Sequence, residues 1–177
     1  MKNMKPKVKV YIDGANMFYT QKKLGWNLDW KKIKNFLEDT KEIVEWKYYV
    51  GVKPDDEKMQ RYLRYLNNIG FNIFTKLLKK IKIRKDEILF EVYKTNHIYK
   101  ANFDVEITAD ILLDKTKIDE VIIFSGDSDF QYLAKRLKNI GKKIIIFSSK
   151  KTISWELKLE ATKIVYLENI KEKIYRK

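Results

Sequence analysis

Along this chain, short uninterrupted apolar runs alternate with stretches in which apolar residues recur every three or four positions. The first run, Val8 to Ile12, closes on Asp13 and Gly14 and reads as a strand buried on both faces. A helical turn follows from near Asn16 to Gly25, and Asp29 offers an N-cap for a helix carrying Ile33, Phe36 and Leu37. "IVEWKYYVG" alternates and is rich in β-formers, which makes it the second strand. Pro54, Asp55, Asp56 and Glu57 open a helix over Met59, Tyr62, Leu63 and Leu66 that Gly70 ends, and "FNIFT" is a third strand.

"KIKIRKDEILFEVY" alternates on both sides of a polar turn at Lys85 and Asp86, which predicts a β-hairpin over about residues 77–94. Asn102 can cap a helix running to about Asp114. "EVIIFS" is a buried strand, Phe130, Leu133, Ala134 and Leu137 mark a helix stopped by Gly141, and "KKIIIFSS" is the next strand. The tail holds a helix near Ser154 to Leu159, a short strand at "KIVYL" and a basic C-terminal helix over about residues 168–177. Apolar strands separated by amphipathic helices indicate an α/β fold, a three-layer α/β/α Rossmann-like parallel sheet with an inserted β-hairpin. No repeat or linker divides the chain, so residues 1–177 form one domain. In such sheets ligands gather beyond the carboxyl ends of the strands, where Asp13 and the segment after Phe124 both fall.

Charge changes the picture next. Lys and Arg number 38 against 24 Asp and Glu, a formal net charge of +14, a field that draws phosphates and other polyanions. The absence of cysteine excludes disulfides, zinc–thiolate sites and thiol nucleophiles. His97 is the single histidine; it reads as a surface or hydrogen-bonding residue, which leaves no ordinary Ser-His hydrolase. Trp26, Trp30, Trp46 and Trp155 read as core or interface anchors. No apolar run approaches the roughly 18 to 20 residues that span a bilayer, and a soluble, cytoplasmic protein with no membrane partner is expected.

Carboxylates carry the candidate chemistry. In "FSGDSDF" Asp127 and Asp129 follow a buried strand and open a helix, where each alone could be a capping or first-turn acid. Two acids this close repel unless a cation offsets them. In "KANFDVEITADILL" Asp104 sits in the first turn of its helix on the side of Ile107, Thr108 and Ile111, whereas Glu106 falls off that face and Asp110 points away toward solvent. Asp13, Asp104, Asp127 and Asp129 could converge at one sheet edge. An all-oxygen set suits the hard cations Mg2+ or Mn2+.

With these residues the sequence resembles the NYN domain family, PIN-like nucleases that include the bacterial LabA-like proteins. "VYIDGANMF", "KANFDVEITADILLD" and "IIFSGDSDFQYLAKRLKNIGKKIIIF" stand in the family's order over about Val8 to Phe147, and "SWELKLEATKIVYL" is similar to its closing helix and strand. The resemblance implies a PIN-like sheet, an acidic cluster for Mg2+ or Mn2+ and hydrolysis of RNA phosphodiester bonds. By position it makes Asp13 the strand-one acid, Asn16 its polar companion, Asp104 the helix acid, and Asp127 and Asp129 the loop acids, with Ser125 assisting at the substrate. Thr162 departs from the family, where an acid is frequent.

Metal ions held by aspartates can generate the nucleophile and offset charge on the phosphate without any histidine. The expected partner is RNA, and a homodimer is left open. Lys80, Lys82, Arg84 and Lys100, around the hairpin, are candidate phosphate contacts, with Tyr93 and Tyr99 for stacking on unpaired bases; lysines guarding a strand edge are the competing account. An RNA-binding or regulatory module with little turnover is the alternative function. An aspartyl phosphatase would want a second acid two residues after Asp13, where Ala15 stands.

Overall fold

A computed structural model describes residues 5–82 and 97–176. Six parallel strands form the central sheet: β1 (Lys7–Asp13), β2 (Glu42–Val52), β3 (Asn72–Leu77), then, after a small two-stranded arm of β4 (Lys79–Lys82) and β5 (His97–Lys100), β6 (Glu120–Phe124), β7 (Lys143–Ser148) and β8 (Lys163–Tyr166). Their spatial order is β3-β2-β1-β6-β7-β8. The chain therefore starts in the middle of the sheet, winds outward to β3, and returns to the other side of β1 to build the second half. Between β1 and β6 the winding reverses, and the helices after these strands leave toward opposite faces.

The strand alternation sorts the core into two layers. Val8, Val10 and Ile12 of β1 pack with Trp30, Trp46, Tyr48 and Phe71 beneath α1 (Gly14–Leu24), α2 (Trp30–Glu38) and α3 (Glu57–Asn68). Tyr11 and Tyr49 pack with Phe103, Ile107, Phe130 and Leu133 beneath α4 (Asp104–Leu112), α5 (Gln131–Asn139) and α6 (Trp155–Glu160). Caps at the first helices follow the sequence reading: the Asp29 and Asp56 side chains accept from Lys32 and Met59 N–H, and Gly25 ends α1 at φ 77°. The expected Asn102 cap does not form: Phe103 is the N-cap of α4 with no side-chain cap bond, and Asn102 Oδ1 accepts the Asp104 N–H. No helix among the described residues is long and apolar enough to cross a membrane.

Some expectations change. The partner of β4 is His97–Lys100, antiparallel with Ile81 opposite Ile98, a stretch that the sequence reading left unassigned; the turn expected at Lys85–Asp86 lies outside the described residues. The C-terminal helix is one turn, α7 (Lys171–Ile174), after a 3-10 turn at Leu167–Ile170. Its extension is overridden by tertiary pairing: Asp29 N–H donates to Ile174 O, Arg176 N–H donates to Asn27 O, and Ile174 is fully buried. Asp110 is half-buried and not free in solvent: Lys47 Nζ and the Tyr49 hydroxyl donate to it at 3.0 and 2.6 Å. Trp30 and Trp46 are core residues, but Trp155 is 67% exposed.

Beneath α4, Lys9 is a buried lysine on β1 with ion pairs to Asp114 at 2.6 Å and Glu45 at 3.1 Å. Burial alone would raise the Asp114 carboxyl, yet hydrogen bonds from Lys9 and Thr116 hold it well below the usual range. Removing only the cation leaves two desolvated carboxylates. Lys9→Met is therefore expected to destabilise the fold by about 3 kcal/mol at pH 7. The deficit should shrink only below about pH 4, because stability from a lowered Asp114 carboxyl is fully present above the unfolded value near 3.9 and is lost as pH falls through the folded one; urea unfolding at pH 7 and at about pH 2 checks both.

Candidate metal and nucleic-acid site

The site lies at the carboxyl ends of β1 and β6, and ordinary capping chemistry builds it. β1 ends on Asp13, whose Oδ1 accepts the Asn16 N–H at 3.1 Å and so caps α1. Gly14 lets that helix start against β2: a Cβ there would lie 2.7 Å from Tyr49 O and 2.8 Å from Tyr48 Cε1. From β6, Ser125 is fully buried; its hydroxyl donates to Asp13 Oδ2 at 3.2 Å and accepts the Asp127 N–H at 3.2 Å. Asn16 Oδ1 accepts the Gly126 N–H at 3.0 Å, which ties α1 to the same loop. Gly126 has no room for a side chain, since a Cβ would meet Thr152 O at 2.4 Å, and its carbonyl accepts the Ser154 N–H.

Asp127 accepts the Asp129 N–H at 3.1 Å and caps a 3-10 turn over Ser128–Phe130 that leads into α5. The two carboxylates thus leave the same turn. From the other side, α4 brings Asp104 to meet them. Asp104, Asp127 and Asp129 each offer an oxygen within 4.8 Å of the other two. Asp13 stands beside this trio, 9% exposed, and its charge acts on Asp104.

Among the described residues none of the four acids forms an ion pair with lysine or arginine. Burial raises the Asp13 carboxyl, with the Asp127 charge adding and hydrogen bonds from Asn16 and Ser125 opposing. Burial also raises Asp104 to about 6, with a side-chain hydrogen bond from Asn102 opposing and the charges of Asp13, Asp127 and Asp129 adding. Asp104 Oδ2 is buried and has no hydrogen-bond partner. An all-oxygen trio, an orphaned carboxylate oxygen and uncompensated repulsion together fit a hard divalent cation.

The other sequence candidates fall as follows. Asn16 joins the site through the backbone of Gly126, and the buried hydroxyl of Ser125 bridges Asp13 and the Asp127 N–H. Glu106, off the acid face as expected, pairs with Lys76, whose hydrogen bond holds its pKa down. Lys80, Lys82 and Lys100 are exposed on the arm, and Arg84 and Tyr93 lie outside the described residues. Thr162 Oγ1 accepts the Ile144 N–H and holds β7 to β8. Sequence reasoning missed the close-packing role of Gly126 and the Thr20–Thr152 hydroxyl pair, 2.9 Å apart, that closes α1 on the loop before α6. The dipeptide Ser125-Gly126 was the available signal: a small donor and a missing Cβ between strand and turn.

A family model for the NYN domain matches residues 7–168. Low amplitude and bright protein LabA of Synechococcus elongatus is 30% identical over 164 residues, 92% of this chain and 84% of that protein. A crystal structure of a protein of unknown function from Vibrio parahaemolyticus has the same fold, at a TM-score of 0.76 and 24% identity over 99% of each chain.

Asp104 carries a raised pKa, so its ionisation opposes folding above about pH 6 and the cost disappears as pH falls toward the unfolded value near 3.9. Without metal, Asp104→Asn is expected to stabilise the protein by about 1 kcal/mol at pH 7, a figure already reduced for solvent screening. The gain should vanish near pH 4. Thermal unfolding in chelator reads this out, and a lowered melting temperature at pH 7 would contradict the assignment.

Proposed function

The chain belongs to the NYN domain family, and from that premise we propose that it is a metal-dependent ribonuclease. The NYN domain is a PIN-like, nuclease-type domain, which ties the chain to nucleic acid. The observation that carries the finer reading is the trio of Asp104, Asp127 and Asp129 with no cationic side chain between them.

In this reading the trio would hold Mg2+ or Mn2+. A bound divalent cation lowers the pKa of water and offsets charge on phosphate oxygens, which is what phosphodiester hydrolysis needs. Asp13, fixed by Asn16 and Ser125 and raised by burial, orients the attacking water and accepts its proton on a carboxylate oxygen. The water oxygen bonds to phosphorus as the bond to the leaving sugar oxygen breaks, and that oxygen takes a proton from solvent to leave as a hydroxyl. Asn16 and Ser125 act through other residues: they hold the β1 and β6 ends in register, so that Asp13 and Asp127 keep one geometry.

An acid pocket repels a polyanion, and the protein's net charge of +14 supplies the opposing attraction. Lys80, Lys82 and Lys100 on the arm, with Arg84 in sequence beside them, are the phosphate contacts of this proposal. RNA is the nucleic acid that the family resemblance favours.

Labelled single-stranded and structured RNAs incubated with Mn2+, Mg2+ or EDTA test the reading. Cleavage is expected only with metal and should fall by at least about a hundredfold in Asp127→Asn. Below pH 6, protonation of Asp104 should weaken metal binding and activity together. Cutting that survives chelation and Asp127→Asn would refute the mechanism, and a folded, metal-binding but inert protein would identify a binding module.

A further inference from the structure

The two strands of the arm place a set of side chains on one face that the linear sequence scatters. Lys80 is opposite Tyr99 and Lys82 is opposite His97, and in an antiparallel pair directly opposed residues share a face. One face of the arm is therefore Lys80, Lys82, His97 and Tyr99. The His97 ring stands edge-on to Tyr99, with centroids 5.4 Å apart at 87°. From the end of β2, Lys53 places its ammonium 4.0 Å from the centroid of the Tyr99 ring, which is still 42% exposed.

Among the described residues the charge on the arm is not balanced. Lys53, Lys79, Lys80, Lys82 and Lys100 form no ion pair among the described residues. On the other face Lys79 lies directly opposite Lys100, a like-charge pair that destabilises an isolated two-stranded sheet. Elsewhere the chain pairs the lysines that it brings close to other elements: Lys9 with Asp114, Lys47 with Asp110, Lys76 with Glu106. Lysines placed only to guard a strand edge would need no exposed aromatic ring among them.

We infer that this face of the arm is a stacking platform for an unpaired base of a single-stranded RNA, with Tyr99 under the base and Lys53, Lys80 and Lys82 on the flanking phosphates. A base stacking on the exposed ring would release the Lys53 ammonium to the backbone phosphate beside it. Duplex RNA hides its base faces and can use only the lysines, so the platform selects single strands. Tyr99 is five residues before Asp104, so at most about 18 Å of chain separates the platform from that acid. A strand held on Tyr99 is thus within a few nucleotides' reach of the acid site. The inference deepens the ribonuclease reading by naming the form of its substrate, and it rests on that reading for its biological meaning.

Binding measured in EDTA, where no cleavage is expected, separates the two. Fluorescence anisotropy with a single-stranded RNA of roughly 12 nucleotides and a duplex of the same sequence is the assay. Tyr99→Ala is expected to weaken single-strand binding about tenfold and leave duplex binding unchanged, with Tyr99→Trp restoring it. Replacing Lys80 and Lys82 with Gln should weaken both forms and flatten the salt dependence for single strands by about 0.7 per lysine. Circular dichroism of each variant reports on folding, and the Trp variant keeps the test open if the Ala variant unfolds. Single-strand binding that ignores Tyr99, or a Tyr99→Ala loss equal for both forms, overturns the platform. Tyr99-dependent binding without cleavage in any metal leaves the platform standing and removes the ribonuclease.

Discussion

The constraint on which this structure turns is the repulsion among aspartates gathered where the sheet reverses its winding. Nothing in the local sequence requires them to meet. β1 and β6 are adjacent because the chain winds outward in both directions from the middle of the sheet, and Asp13 and Asp127 follow those two strands. Asp104 arrives from α4 on the other side. Neutral groups do the holding: the Ser125 hydroxyl, the Asn16 amide oxygen and backbone N–H groups fix the loops without cancelling the charge.

The treatment of acids elsewhere makes this choice informative. A short distance along α4, Asp110 takes both Lys47 and the Tyr49 hydroxyl, and Glu106 takes Lys76. Asp114, just beyond the helix, is locked to buried Lys9. A protein with 38 basic residues has no shortage of cations, yet it places none against Asp104, Asp127 or Asp129 among the described residues. That pattern sets the trio apart from acids used as structural partners, and it is what supports the proposal of a bound cation there.

Much of this was legible in the residues. Buried strands ending on Asp13 and before Asp127, and Asp104 in a first helical turn on the apolar side, pointed toward a shared sheet edge, although only the winding of the sheet sets those strand ends side by side. What stayed hidden depends on tertiary pairing. The bridge that the Ser125 hydroxyl makes between Asp13 and the Asp127 N–H is one such pairing. The strand at His97–Lys100 has too few residues for its own periodicity, and only its pairing with β4 defines it. Asp110 reads as solvated because its partners, Lys47 and Tyr49, come from a strand about sixty residues away in sequence. The C-terminal helix is cut short by backbone bonds to the loop between α1 and α2, which no local propensity encodes.

The most direct test of the central claim is a crystal soaked in Mn2+ and measured at a wavelength where manganese scatters anomalously. The account predicts an anomalous peak bounded by carboxylate oxygens of Asp104, Asp127 and Asp129. A lysine or arginine seated among these three carboxylates, with manganese absent or bound only elsewhere, would contradict it.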